Sequence, residues 1–413
     1  MKDNWKDYFL TDIADFHNGM AFKPIHWKKE GVPIIRIEQI TRPETANWDF
    51  YQGNFAKKNE INTGDVIFSW SATLKVVVWK GGKAVLNQHL FKVDEKKGFD
   101  RYYVAYLIDF NLSKLADESQ GSTMKHVTRK SLEKFKVNLP PLPQQKKIAQ
   151  ILSTVDEVIE QTETAIAKYE AIKQGLMHDL FTRGIDIYTG KLRPSPQDAP
   201  ELYKESALGL IPREWELETL ENITSYVDYR GKTPPKSDKG IFLVTAKNIK
   251  FGYIDYEISK EYILHSSYKA TMSRGIPEKG DVLITTEAPL GNIAQIDIEG
   301  LALAQRVIKY RCLENEMLND FLKHSMMSEY FQKELEAEST GSTVKGIKGS
   351  RLHQLQVLKP QIDEQNRIIQ TIKPIESKIQ TEQQTLGKYQ QLKAGLMQDL
   401  LTGRVGVVVD EED

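Results

Sequence analysis

Two stretches of the chain carry apolar residues in alternating steps of four and three. In the first, Ile148, Leu152, Val155, Ile159, Thr162, Ile166 and Tyr169 mark the stripe. In the second, Ile368, Ile372, Ile375, Ile379, Glu382, Leu386 and Tyr389 do so, with one acidic interruption. A sustained 4-3 spacing predicts long helices whose stripe suits packing against another helix. Each begins just after a proline-bearing strand end, "NLPPLPQQ" and "VLKPQIDEQ", where proline can start but not continue a helix. Pro374, inside the second stretch, predicts a kink there.

Ahead of each stripe the pattern changes to short β-branched and aromatic runs. "VPIIRIEQI", "DVIFSW", "VVVW" and "HLFKV" are bounded by Gly, Asn and Lys and predict strands. Their later counterparts are "IFLVTAKNI", "DVLITT" and "VIKYRC". Apolar spacing in "RYYVAYLIDFNLSKLADES" and "NDFLKHSMMSEYFQKELEAES" predicts helices beside them. The fold class expected is α+β: two β-rich mixed domains separated by two long antiparallel coiled-coil-like helices, with an internal pseudo-twofold repeat.

The repeat is explicit. Residues 120–182 align with 340–402 without a gap, and about a third of the positions are identical. "AIKQGLMHDLFT" returns as "QLKAGLMQDLLT", "QGSTMK" as "TGSTVK", and Trp5 opens one copy as Trp215 opens the other. Upstream the offset drifts, from "GDVIF" against "GDVLI" to "GVPIIRIEQI" against "GIFLVTAKNI". The helical ends have kept their length while the domains have gained and lost loops. The expected layout is domain one at 1–142, helix one at 143–182, a Pro- and Gly-rich linker at 183–205, domain two at 206–358, helix two at 359–402 and a frayed acidic tail at 403–413.

Two copies of one striped helix can satisfy each other by antiparallel packing, which would put the mixed domains at opposite ends. Ile159, Ile166, Tyr169 and Leu176, with Ile379, Leu386, Tyr389 and Leu396, are the candidates for that packing or for docking a partner. Gly175 and Gly395 sit mid-helix, where glycine costs about 1 kcal/mol relative to alanine. They mark a close helix crossing, a docking surface, or a tolerated weak spot near a helix end.

At 413 residues the chain exceeds one comfortable core. No apolar run is long enough to span a membrane, and "MKDNWKDYFLTD" lacks the apolar core of a signal peptide. One cysteine, Cys312, excludes an internal disulfide and a multi-cysteine zinc site. These features point to the cytoplasm. Net charge is −1, which alone argues against a strongly nucleic-acid-binding chain. Residues 1–142 hold 22 Lys and Arg against 17 Asp and Glu, a surplus of five, and the rest is neutral to slightly acidic.

Catalytic motifs are missing from the sequence. It holds no phosphate loop, no G-x-G-x-x-G after a strand, and no H-E-x-x-H, G-x-S-x-G, C-x-x-C or N/D-P-P-Y/F box. No histidine has a second ligand at helical spacing, and His89 is answered by Arg306, so that position takes a polar or basic group rather than a metal ligand.

Two similar domains on a rigid spacer suit an elongated two-part target. A helix of ~35 residues is ~50 Å long, of the order of one and a half turns of duplex DNA. In register, Arg36 faces Thr245 and Gln39 faces Asn248. Arg pairs with guanine edges and Asn or Gln with adenine, so these are candidate base readers, or ordinary strand polar residues facing water. "STMKHVTRK" and "STVKGIKGSR" carry hydroxyls and bases, with Lys125, Arg129, Lys345 and Lys348 as candidate phosphate contacts. "YRGKTPPKSDKG" adds Arg230, Lys232 and Lys236 on a basic loop or a solvated turn. Lys23, Lys75 and Lys247 complete the candidate DNA-contacting set.

With "LPPLPQQKKIAQIL…KYEAIKQGLMHDLFT" and its second copy, and "RGKTP" opening the second domain, the whole chain resembles the specificity subunit of type I restriction–modification enzymes. The resemblance implies a non-catalytic subunit whose domains each read one half of a split double-stranded DNA target. It implies that the repeated helices set the gap and carry two modification subunits, to which restriction subunits are added. S-adenosylmethionine, ATP and Mg would then belong to the partners, with no cofactor in this chain. Departures are "NGMAFKP" where the second half has "RGKTPPK", and Thr154 opposite Pro374. A structural coiled-coil adaptor with protein-binding β domains is the alternative, and a self-contained methyltransferase or nuclease a third.

Overall fold

The computed structural model describes residues 4–117, 126–229, 234–341 and 344–409. The chain forms two compact units, Met1–Ala165 with Glu382–Asp413, and Ile166–Thr381. Each unit holds one mixed domain with part of both long helices, which run Leu142–Thr182 and Ile362–Leu401.

In the first unit the strands Ala14–Asn18, Leu90–Glu95, Val66–Ser69 and Lys75–Val78 lie side by side in that order, all antiparallel. A second sheet orders Phe50–Tyr51, Val32–Ile35, Ala84–Leu86 and Glu60–Ile61, its middle pair parallel. The second unit repeats the plan. Thr224–Asp228, Val307–Cys312, Val282–Thr286 and Leu290–Gln295 make the antiparallel sheet. Tyr262–Ile263, Ile241–Val244 and Ala302–Leu303 make the other, again with a parallel pair. Helices Arg101–Phe110 and Leu112–Asp117 in one unit, and Asn319–Met327 and Glu329–Ala337 in the other, fall where the apolar spacing placed them.

Each domain closes on itself before its long helix begins. Lys6–Phe9 pairs with Lys136–Leu139, and Glu216–Thr219 with Gln356–Lys359. A buried glutamine then ties helix to domain in the same way twice. Gln145 accepts the Asp100 N–H at 3.0 Å and donates to the Pro140 carbonyl at 2.9 Å. Gln365 accepts the Leu318 N–H and donates to the Pro360 carbonyl, both at 2.9 Å. A buried side-chain amide is costly to leave unpaired, so these two lock the angle at which each helix starts.

A lysine–aspartate pair also recurs at each antiparallel sheet: Lys92, half-buried, with Asp65 at 3.1 Å, and Lys309, buried, with Asp281 at 3.2 Å. Burial alone would push the Asp281 carboxyl up. The Arg311 guanidinium, the Glu278 N–H and Lys309 hold it below the usual range.

The long helices are antiparallel partners. In the first unit, Ile148, Ala149 and Leu152 share a core with Met397, Leu400 and Leu401, and Lys393 pairs with Asp156 at 2.6 Å. In the second, Leu180 and Phe181 share a core with Ile368, Ile369 and Ile372, and Lys173 pairs with Glu376 at 2.7 Å. Asp156 and Glu376, like Lys173 and Lys393, are 220 apart, so one ion pair is written twice. A domain helix reaches each acid as well: the Tyr106 hydroxyl donates to Asp156 at 2.7 Å, and His324 Nε2 lies 3.1 Å from Glu376. The second helix continues through Pro374.

The linker is structured where composition suggested a plain loop. Arg193 is buried, its guanidinium donating to Glu364 and Glu214, while Trp215 Nε1 and the Ile185 N–H also donate to Glu364. Linker, domain opening and helix start of the second unit thus meet on one carboxylate.

Candidate nucleic-acid interface

The strand expected over "VPIIRIEQI" ends at Ile35, and Ile37–Thr41 is a short helix. That change redirects the two candidate readers of the first domain. Arg36 caps the helix, lies 4.9 Å over the Trp27 ring, and pairs with Asp49 at 2.5 Å. Gln39 is 2% exposed: its Oε1 accepts the Arg36 N–H at 2.9 Å and its Nε2 donates to the Asn47 carbonyl at 2.7 Å. In the second domain Asn248 is fully buried. Its Oδ1 accepts from the Thr245 N–H and hydroxyl, and its Nδ2 donates to the carbonyls of Asp255 and Ser259.

This corrects the sequence reading. Gln39 and Asn248 are not base readers, because each amide is buried and spent on backbone groups, and a base edge would have to displace those bonds. Thr245 likewise spends its hydroxyl on Asn248. What the two amides do is close the loop that follows. Residues 40–47 are bracketed by Gln39 and Asn47, and residues 249–255 by Asn248 and Asp255.

The remaining candidates divide by exposure. Lys23, Lys247 and Lys348 are exposed, and Arg129 is exposed beside Glu133 at 3.7 Å. Lys75 lies on the outermost strand of its sheet. Lys236 pairs with Glu261 at 2.7 Å, and Lys345 pairs with Glu336. Lys125, Arg230 and Lys232 lie outside the described residues. The segments after "GST" dock alike: Ser71 bridges to His126, and Glu287 to Gly346. Beside them stand the counterparts His89, 3.4 Å from the Ser71 hydroxyl, and Arg306, 2.7 Å from Glu287.

Sequence reasoning missed the exposed apolar side chains. Ile25 is 76% exposed near Lys23, Lys28 and Lys29, and Phe251 and Tyr253 flank Gly252, all three between Lys250 and Asp255. The available signal was aromatic residues interleaved with lysines in "KNIKFGYIDY".

On the helices, Ile166 and Ile379 are buried, and Ile159, Tyr169, Leu176, Leu386, Tyr389 and Leu396 are half-buried. Gly175 and Gly395 are exposed, with open space where a Cβ would stand. A close crossing within either unit is therefore not their purpose. Ile172 and Leu392, three residues earlier in each copy, are also exposed.

A mixed domain and a long helix, built twice with the same internal anchors and with different residues on the loops, define a duplicated two-reader architecture. The model for the type I restriction modification DNA specificity domain matches residues 2–171 and again 212–392. The chain belongs to that family. It is 27% identical over 356 residues to the MjaVIII specificity subunit of Methanocaldococcus jannaschii, covering 84% of this chain and 80% of that one. To the EcoBI specificity subunit of Escherichia coli it is 25% identical over 392 residues, covering 90% and 79%. The fold matches the crystal structure of a type I restriction–modification S subunit from M. genitalium at a TM-score of 0.59, over 96% of both chains at 14% identity. None of the described helices is long and apolar enough to cross a membrane.

Proposed function

We propose that this chain is the non-catalytic DNA-specificity subunit of a type I restriction–modification complex acting in the cytoplasm. Each domain reads one half of a split duplex target, and the paired helices set the gap between the halves. The observation that carries this reading is one frame with two sets of loop residues: the same glutamine and lysine–aspartate pairs recur in both domains, and a buried side-chain amide, Gln39 in one and Asn248 in the other, closes "RPETA" in the first and "KFGYI" in the second. A frame kept constant under differing surface residues suits two readers of unlike sequence.

Two modification subunits dock on the helices, one at Ile172 and Gly175 and one at Leu392 and Gly395. A bare, exposed glycine beside an exposed apolar side chain lets a partner helix approach closely, and the motif occurs once per copy. Methyl donor, ATP and Mg are supplied by the partner subunits. The adaptor reading is weaker, because an adaptor would keep both binding faces alike.

The test is to co-express the chain with a type I modification subunit from the same genome and map the methylated positions. A split motif of two short defined parts around a fixed gap is the expected result. A stable complex that methylates nothing would overturn the reading role, and no complex at all would favour the adaptor.

A further inference from the structure

The two buried amides point beyond themselves to what they hold. In the second domain the turn after Asn248 is fixed on three sides. Asn248 Nδ2 donates to Asp255, the Gly252 N–H donates to the Ile293 carbonyl at 2.7 Å, and Asn292 Nδ2 donates to the Ile249 carbonyl at 2.8 Å. Lys250 and Tyr253 close the turn with an N–H to carbonyl bond at 2.9 Å, and Gly252 takes the left-handed φ of 104° that the turn requires. Phe251 and Tyr253, 49% and 54% exposed, stand on either side of that glycine. About half of each of these two aromatic residues is left in water on a turn this firmly held, and that exposed half gives the fold no packing in return.

In the first domain Gln39 holds the equivalent loop, with the Thr45 N–H donating to the Arg42 carbonyl at 3.2 Å. There the exposed residues are Arg42, Pro43, Glu44, Thr45 and Asn47. The anchor is of the same kind, a buried amide donating to a carbonyl across the loop, and the cargo differs.

We infer that these two loops carry the base contacts, Arg42 for one half-site and Phe251 with Tyr253 for the other, and that Gln39 and Asn248 are positioning residues that present them. The inference rests on the DNA-reading role proposed above. Arg42 offers the two parallel donors that match guanine O6 and N7 in the major groove, and the aromatic pair offers an apolar face that matches the thymine methyl. Lys247 and Lys250 flank the aromatic turn, with no acid from 247 to 253, so its charge complements a phosphate backbone. A rigid, pre-shaped loop loses little entropy on binding, which is what the buried amide contributes.

The experiment uses the full complex with the modification subunit and scores methylation of targets changed one base pair at a time. The double variant Phe251→Ala, Tyr253→Ala is expected to lose about tenfold to a hundredfold discrimination at one or two base pairs of one half-site, leaving the other half intact. Arg42→Ala should do the same in the opposite half. Replacing thymine by uracil in the half-site, which removes only the methyl group, should weaken methylation by the wild-type complex and leave the aromatic double variant indifferent. Asn248→Ala should relax the same base pairs as the aromatic double variant, which a general loss of stability would not do. Unchanged preference in folded variants, or a uniform fall at every target with no change in preference, would overturn the assignment. A wild-type complex that methylates no split target would instead remove the DNA-reading role on which it rests.

Discussion

At the scale of single residues, buried polar groups decide what the surface can do. Asp281 is 1% exposed and its lysine partner almost as buried, so removing one leaves the other charged in the core. Asp281→Ala is expected to destabilise the second unit by about 3–5 kcal/mol, read as a shift in the urea midpoint. The Asp281 carboxyl is held below its usual range, so it binds its proton less readily folded than unfolded. Its contribution is therefore present above the unfolded value near ~4 and lost as pH falls below it. The gap between wild type and Asp281→Ala should narrow on acidification, and a gap that is flat with pH would refute the charged pair. The same scale accounts for the misplacing of Gln39 and Asn248 by sequence alone. Residue type identifies an amide able to meet adenine, but its direction depends on where the strand ends. "VPIIRIEQI" carries no break at Ile35 that period-two patterning can detect.

At the scale of elements, the long helices were legible because a 4-3 stripe sustained from Ile148 to Tyr169 is a spacing that neither strands nor loops produce. The duplication then said that they would pair with each other. Patterning could not say which side of Gly175 and Gly395 faces water, since glycine carries no hydropathy to place it. Their exposure gives a two-part prediction. Gly175→Ala and Gly395→Ala should each stabilise the isolated chain by about 1 kcal/mol, because a methyl group meets nothing and glycine is the poorer helix former. Both should weaken binding of the modification subunit, read as a higher dissociation constant; unchanged binding would remove these glycines from the docking face. The ion pairs Asp156–Lys393 and Lys173–Glu376 are partly exposed, so each is worth about 1 kcal/mol or less. Lys393→Glu should lower the melting temperature slightly, and Asp156→Lys in the same chain should restore most of the loss.

At the scale of the whole molecule, alternating domain and helix was readable from the 220-residue repeat, whereas the division into units was not. The repeat suggests domain plus its own helix, yet each compact unit takes part of both helices. The cause is antiparallel packing, which gathers residues distant in sequence, as Asp156 with Lys393 shows. Lengthening both helices by one heptad in register keeps every stripe contact in phase. The expected outcome is a longer unspecified gap with both half-sites unchanged, measured by methylation mapping; a constant gap would show that the helices do not set it.

The strand pairs that close the domains, Lys6–Phe9 with Lys136–Leu139 and Glu216–Thr219 with Gln356–Lys359, have a consequence for inheritance. Chain entry and exit of each domain lie side by side, so a gene segment bounded by those strands encodes a cassette whose ends already meet. Two crossovers, one in the helix-coding repeat and one near the opening tryptophan, would install a foreign reader without altering the scaffold that receives it. A single exchange of that kind replaces one domain whole and leaves the paired helices and the other domain as they were.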